Sequence, residues 1–189
     1  DFGGCHRAGT SALMAAFDAV TAGSSAEVLV GASDCRIGKP GGSSEHLCGD
    51  GAAAMLVGDG DAIATLSASH SVSFDMVDTY RAAEAKYDRG WEERWVKVEG
   101  YGKLLPGAIG GMLAKVDLPI DAFSKVIFPC RFARDHMGIG KRLGATPEQL
   151  QSPLLDVVGD TGAAHPLLML AAALETASPG DKLLVASFG

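Results

Sequence analysis

The first twenty residues, DFGGCHRAGTSALMAAFDAV, set a cysteine beside a histidine just ahead of an amphipathic run. These two side chains can do nucleophilic and acid–base work, the imidazole moving a proton and the thiolate attacking a carbonyl carbon. A helix N-terminus carries about +0.5 charge, which favours a thiolate at such a position. Cys5 fits equally well as a small thiol packed at a helix start, and His6 as a capping or surface residue. Cys130 follows the apolar run SKVIF and Pro129, and open α/β sheets hold their sites at the carboxyl ends of strands. Asp160, in GDTGAAH, suits a turn or an N-cap for the apolar segment after it, and His165 can donate to a backbone carbonyl at that segment's start.

Other chemistry is excluded by spacing. The four cysteines, Cys5, Cys35, Cys48 and Cys130, form no C-x-x-C pair. His46 and Cys48 lie in a glycine-rich loop with no third and fourth ligand at suitable spacing, so they read as loop residues and not a metal site. GDGAAA (49–54) lacks the G-x-x-x-x-G-K-[ST] pattern of a phosphate loop. Trp91 and Trp95 read as core or interface anchors.

The elements that must position these residues follow from periodicity. Leu13, Ala16, Phe17 and Val20 form one stripe of a helix over 8–22. EVLVGASD (27–34) reads as a strand of the kind buried in a parallel sheet, 35–51 as a loop, and AAAMLVGD (52–59) as a strand. Alternation over 62–74 predicts a neighbouring antiparallel strand, and 75–103 a polar surface excursion with helical parts. Helices are expected over 106–116, with Pro106 in the first turn, and over 134–144, ended by Gly144. Strands are expected at 124–129, 154–158 and 182–187. The segment 164–177 is apolar nearly all round, which marks a helix buried in a large core. Helices buried on both sides require a layered α/β/α/β/α body with a helical layer between two sheets.

The chain has 189 residues, 47% hydrophobic and 21% charged, with a net charge of −7. That supports a sizeable core and gives no electrostatic footprint for nucleic acid. No stretch reaches the roughly 18 apolar residues of a membrane span, and no signal peptide is visible. Few cysteines and no disulfide framework make a reduced, cytoplasmic setting the default. The chain starts on its most chemical motif and ends at KLLVASFG, and so reads as an incomplete chain.

Three stretches carry a resemblance. HRAGTSALMAAFDAV resembles the segment after the nucleophile of hydroxymethylglutaryl-CoA synthases and β-ketoacyl-ACP synthases III. GDGAAAMLVGD (49–59) resembles the strand closing the first half of their fold, and GDTGAAHPLLMLAAALETASPGDKLLVASFG (159–189) their asparagine loop, buried helix and last glycine-rich strand region. The resemblance implies the thiolase fold, two βαβαβαββ halves packed as five α/β/α/β/α layers. By it, residues 1–59 are the C-terminal part of the first half, and 60–189 the second half without its last strand.

It also implies acyl transfer between acyl-CoA or acyl-carrier thioesters with carbon–carbon bond formation or cleavage. No cofactor is implied beyond CoA or pantetheine as substrate, and neither a nucleic-acid nor a membrane partner. A homodimer is implied, or a complex with a thiolase and a zinc-binding OB-fold protein. With AGTSAL (8–13) in register, the family's nucleophile position falls on His6, one residue after Cys5. The histidine of its PHQAN-like motif corresponds to Cys130 in FPCRFAR, and the asparagine of GNTxAAS to Asp160. Two functions fit these substitutions. In an enzyme, Cys130 is nucleophile or acid–base thiol, His6 its partner and Asp160 the group tuning the histidine, or Cys5 is the nucleophile after a one-residue shift. In a non-catalytic subunit, the same elements support the fold and hold a partner.

Overall fold

The computed structural model describes residues 1–189. In chain order, helix α1 (Ala8–Thr21) leads to strands β1 (Glu27–Cys35) and β2 (Asp50–Gly58). The excursion that follows holds the short pair β3 (Thr79–Tyr80) and β4 (Arg89–Gly90), one turn α2 (Glu93–Trp95), and a nine-residue π-helical stretch, Val96–Leu104. Then come α3 (Leu105–Val116), β5 (Lys125–Ile127), α4 (Ala133–Leu143), α5 (His165–Leu174) and β6 (Leu183–Val185).

These elements stack as four layers. The antiparallel β1–β2 pair runs in register from Glu27 opposite Gly58 to Cys35 opposite Asp50. Its inner face, Val30, Ala32 and Val57, packs on Ala16 of α1 and on Ala164 and Leu167 at the head of α5. The other side of α5, Met169 and Ala173, meets Ile127 of β5 with Leu183 and Val185 of β6. The far face of β5 and β6, Val126 and Leu184, packs with Leu105 and Ile109 of α3 and Ile139 of α4. Helices α1 and α5 thus form a layer between two sheets, as the apolar character of 164–177 predicts. A 19.4 kDa chain is large enough to bury these three apolar interfaces.

Local chemistry fixes the boundaries. Gly144, with φ 84°, takes the left-handed position that ends α4. Pro106 stands in the first turn of α3, where a missing N–H costs least. The Glu92 carboxylate accepts from the N–H groups of Arg94 and Trp95 at 3.0 and 2.6 Å and starts the helical part of the excursion. Gly9 of α1 faces the Ala163 carbonyl and Ala32, so closely that a side chain there would drive the helix off the 162–164 turn.

Three expectations are corrected. β1 is paired antiparallel and alternates, with Leu29 and Leu56 outward, and is not a strand buried on both faces. Residues 62–74 form no strand and join no ladder. They run over α3, where Lys115 donates to the Ser69 carbonyl at 2.8 Å. Residues 154–158 form a turn, with Leu154 at φ 55° and the Val157 and Val158 N–H groups both donating to its carbonyl. The parallel neighbours of β5 are β6 and, through a single bridge to Val126, Leu150. No helix is long and apolar enough to cross a membrane.

Candidate active site

A cleft enclosing about 370 Å³ opens where four distant segments meet. His6 comes from the turn ahead of α1, Tyr101 from the π-helical stretch, Cys130 and Arg131 from the loop after β5, and Asp160 and Gly162 from the turn ahead of α5. Of the four residues that the sequence singles out, His6, Cys130 and Asp160 line this cleft and Cys5 does not. An apolar groove of about 480 Å³ adjoins it, lined by Val72, Phe74, Met76 and Leu104 with Arg7. Phe188 borders both.

His6 lies immediately before Arg7, the N-cap of α1, and the Ala8 N–H donates to the Cys5 carbonyl at 3.1 Å to close the turn. Its Nδ1 is 3.7 Å from Oδ2 of Asp78, ion-pair range and longer than a hydrogen bond. Asp78 is only 6% exposed. Its Oδ1 accepts from the Thr79 N–H at 2.6 Å, and its carbonyl accepts from Trp91 at 2.8 Å, so β3 and β4 fix its position. Burial pushes the Asp78 carboxyl up, but the adjoining His6 imidazole, Arg131 and the Thr79 N–H outweigh it and hold it below the ordinary value. The result is a carboxylate facing one nitrogen of an imidazole, with the other nitrogen left for a substrate.

Cys130 is 1% exposed. Its thiol points at the Phe132 carbonyl, 3.5 Å away. Burial pushes its pKa up to about 12, and the Phe132 contact and nearby Arg131 and Lys97 offset only part of that. At neutral pH the sulfur is a thiol.

Asp160 has both oxygens engaged. Oδ1 accepts from the Gly162 N–H at 3.0 Å, and Oδ2 from Nη1 of Arg36 at 2.8 Å. Arg36 is itself buried and donates through Nε to Asp88 at 2.7 Å, and Arg81 lies 3.3 Å from the other Asp88 oxygen. Burial alone would lower the Arg36 pKa, yet Asp160 and Asp88 raise it. Backbone bonds lock the same region: the Asp160 N–H donates to Leu47 at 2.6 Å and Gly49 donates to Asp160 at 3.0 Å. The glycine-rich loop 35–51 is therefore tied to the turn at 160. At Gly162, φ is 54° and a Cβ would strike the Asp34 carboxylate, so only glycine fits.

His165 is structural. The Thr161 N–H donates to its Nδ1 at 3.2 Å, so Nε2 carries the proton and donates to the Pro153 carbonyl at 2.7 Å. No group of three His, Cys, Asp or Glu side chains has metal-holding geometry. Asp78, Tyr101, Arg36 and Asp88 belong to the site but carry no sequence signal. Three lie in the aperiodic excursion and Arg36 in a glycine-rich loop; tertiary folding brings Asp78 and Tyr101 to the cleft wall, and Arg36 with Asp88 behind Asp160.

No protein-family model matches the chain. Curated relatives do. Over 184 residues it is 30% identical to the hydroxymethylglutaryl-CoA synthase of Methanothermobacter thermautotrophicus, covering 97% of this chain and 53% of that protein. Over 192 residues it is 29% identical to the synthase of Thermococcus sibiricus, covering 100% of this chain and 55% of that one. The chain thus spans about half the length of the curated relatives it matches. Among solved structures, a hydroxymethylglutaryl-CoA synthase complexed with CoA superposes with a TM-score of 0.80 at 21% identity, over 95% of this chain and 50% of that chain. The β-ketoacyl-[acyl carrier protein] synthase III of Thermus thermophilus gives 0.80 at 20% identity, over 100% of this chain and 63% of that one. The fold is the thiolase fold, and the chain is similar in sequence to the hydroxymethylglutaryl-CoA synthases.

Proposed function

We propose that this chain supplies the site of a thiolase-like acyltransferase acting on acyl-CoA or acyl-carrier thioesters in carbon–carbon bond formation or cleavage, in the manner of a hydroxymethylglutaryl-CoA synthase. The supporting observation is the His6–Asp78 pair in the cleft ahead of α1, beside an apolar groove lined by Val72, Phe74, Met76 and Leu104 whose character suits a pantetheine arm. With Nδ1 held toward Asp78, Nε2 of His6 takes a proton from the α-carbon of the bound thioester. The enolate attacks the carbonyl carbon of a second thioester. A carbon–carbon bond forms, the carbon–sulfur bond breaks, and the proton on His6 passes to the leaving thiolate. The second thioester is one of CoA, of a carrier or of an enzyme cysteine, Cys5 or Cys130. The positive end of α1 favours the negative charge that develops. The protein works as a homodimer in the cytoplasm, with residues 1–59 and 60–189 belonging to the two halves of its fold.

A second function is favoured by one feature of the cleft. Cys130 is protonated and Asp160 is an acceptor bound to Arg36, so neither offers a thioester what a nucleophile or an oxyanion donor would. A non-catalytic subunit, partnered by an active thiolase and a zinc-binding OB-fold protein, has no need of either. Acetyl-CoA incubated with the complete protein in D₂O separates the two. Deuterium entering the α-position, lost in His6→Ala, supports the acyltransferase, and peptide mass spectrometry identifies any acylated cysteine. No exchange by the protein alone, with unchanged activity of the assembled complex after His6→Ala, refutes it and supports the subunit.

A further inference from the structure

We infer that Tyr101 is the hydrogen-bond donor to the carbonyl oxygen of the substrate in this cleft, a role that rests on the thioester function proposed above. The ring is 6% exposed. Phe132 meets it edge-on at 5.8 Å between centroids, and Phe188 meets it tilted at 4.8 Å. Packing therefore fixes the direction of the hydroxyl. That hydroxyl has no protein partner, and it is not among the side-chain atoms sealed from solvent without one, so it opens on the cleft that Tyr101 lines. The ring is held by packing while its hydroxyl is free on the cleft, so a carbonyl oxygen entering there meets a donor already in place.

The backbone that brings it there is itself unusual. Tyr101 lies in a nine-residue π-helical stretch, a geometry that is rare and concentrated at functional sites. Gly100 lies directly under the Phe188 ring, and any side chain there would collide with it. The Tyr101–Phe188 contact thus depends on glycine at the preceding position.

The other neutral polar groups of the cleft are engaged, and its charged ones are Asp78, Asp160 and Arg131. Asp160 only accepts, and it does so from Arg36 and Gly162. The Cys130 thiol is directed at Phe132, Nη1 of Arg131 donates to the Thr79 hydroxyl at 3.0 Å, and Nε2 of His165 donates to Pro153. His6 has one nitrogen facing Asp78 and the other assigned to the α-proton. Tyr101 is the uncommitted neutral donor. Burial, reinforced by Cys130 and Asp78, holds its phenol well above the ordinary value of 10.0, so it keeps the proton that it donates. Oxygen in an enolate or tetrahedral adduct accepts more strongly than in the thioester, so the bond strengthens as the reaction proceeds.

The test uses the complete protein with acetyl-CoA labelled with ¹³C at the carbonyl. Infrared difference spectra should show the carbonyl stretch lowered on binding, unlowered in Tyr101→Phe, and lowered further when residue 101 is 3-fluorotyrosine, a stronger donor. Turnover in α-proton exchange should fall about 10²-fold or more in Tyr101→Phe while KM changes little. An unchanged thermal midpoint shows that the ring still packs. Normal binding to Tyr101→Phe with the carbonyl stretch still lowered as in the unaltered protein, and unchanged exchange, overturns the assignment and leaves the thioester function standing. Failure of the unaltered protein to bind acetyl-CoA overturns both.

Discussion

The reactivity of Cys130 can be worked out before it is measured. Its pKa is pushed from an ordinary 9.0 to about 12, three powers of ten. At neutral pH the thiolate is therefore about 10³-fold scarcer than for a free cysteine. A more basic thiolate is also more nucleophilic, and a Brønsted slope of about 0.4–0.5 restores roughly 16- to 30-fold of that loss. The net rate with a small disulfide reagent should be roughly 30- to 60-fold below that of an unperturbed thiol, before access is considered. Access slows it further, because a sulfur only 1% exposed meets reagent only when the structure opens locally. The assay is reaction with 4,4′-dithiodipyridine followed by peptide mass spectrometry, comparing Cys130 in the folded protein with Cys130 in guanidinium. In the folded protein its rate should keep climbing tenfold per pH unit beyond pH 9, where a free thiol levels off. A rate equal to that of the unfolded chain, or a plateau near pH 9, would refute the burial argument and return Cys130 to the nucleophiles.

Two further outcomes follow from buried charge and polarity. Burial depresses His136 from 6.5 to about 4, and its Nε2 has no partner. The unfolded chain therefore takes up this proton first. The stabilising effect is full above pH 6.5 and is lost as pH falls to 4, about 3 kcal/mol in all. His136→Leu should flatten that part of the curve, and urea unfolding at pH 7 and 4.5 gives the difference; an unchanged slope would mean that another group titrates there. Asp160→Asn should destabilise by about 1–3 kcal/mol, since it leaves the buried Arg36 with Asp88 alone. Arg36→Met in the same chain should cost less than the sum of the two single changes, and additivity within about 0.3–0.5 kcal/mol would show that the two residues are not coupled.

Much of the scaffold is legible in the sequence because it depends on local rules. The stripe Leu13, Ala16, Phe17 and Val20 gives α1, Gly144 gives the end of α4, and the all-apolar run after His165 gives the buried α5. Where the sequence misleads, long-range context decides. LLDVV has strand composition, yet Leu154 adopts a left-handed conformation and Leu150 takes the place beside β5. Alternation in 62–74 yields no strand, because alternation does not specify a ladder partner. At the site, the positions of His6, Cys130 and Asp160 are read from their neighbours, AGTSAL, FPCRF and GDTGAA. Their surroundings are not. Nothing around Asp78 in DMVDTYR indicates that it faces His6, 72 positions earlier, nor around Arg36 that it bonds to Asp160.

That last pairing bears on what the changed residues mean. An asparagine at position 160 could donate to a substrate oxygen and would need no counter-charge. An aspartate donates nothing, and ionised in a half-buried turn it requires a cation. Arg36 is that cation, and it is in turn held by Asp88, with Arg81 at the rim. A buried guanidinium without partners would be severely destabilising, so positions 36, 88 and 160 make sense only together. A site that had merely lost its catalytic groups would be expected to hold small or apolar residues in these places, which fill space at lower cost. A four-member charge network, a carboxylate facing His6 and a phenol hydroxyl free on the cleft instead describe a polar cavity. Asp160 gives no donor to a substrate oxygen, and Tyr101 is the neutral side chain on the cleft wall with a proton to give.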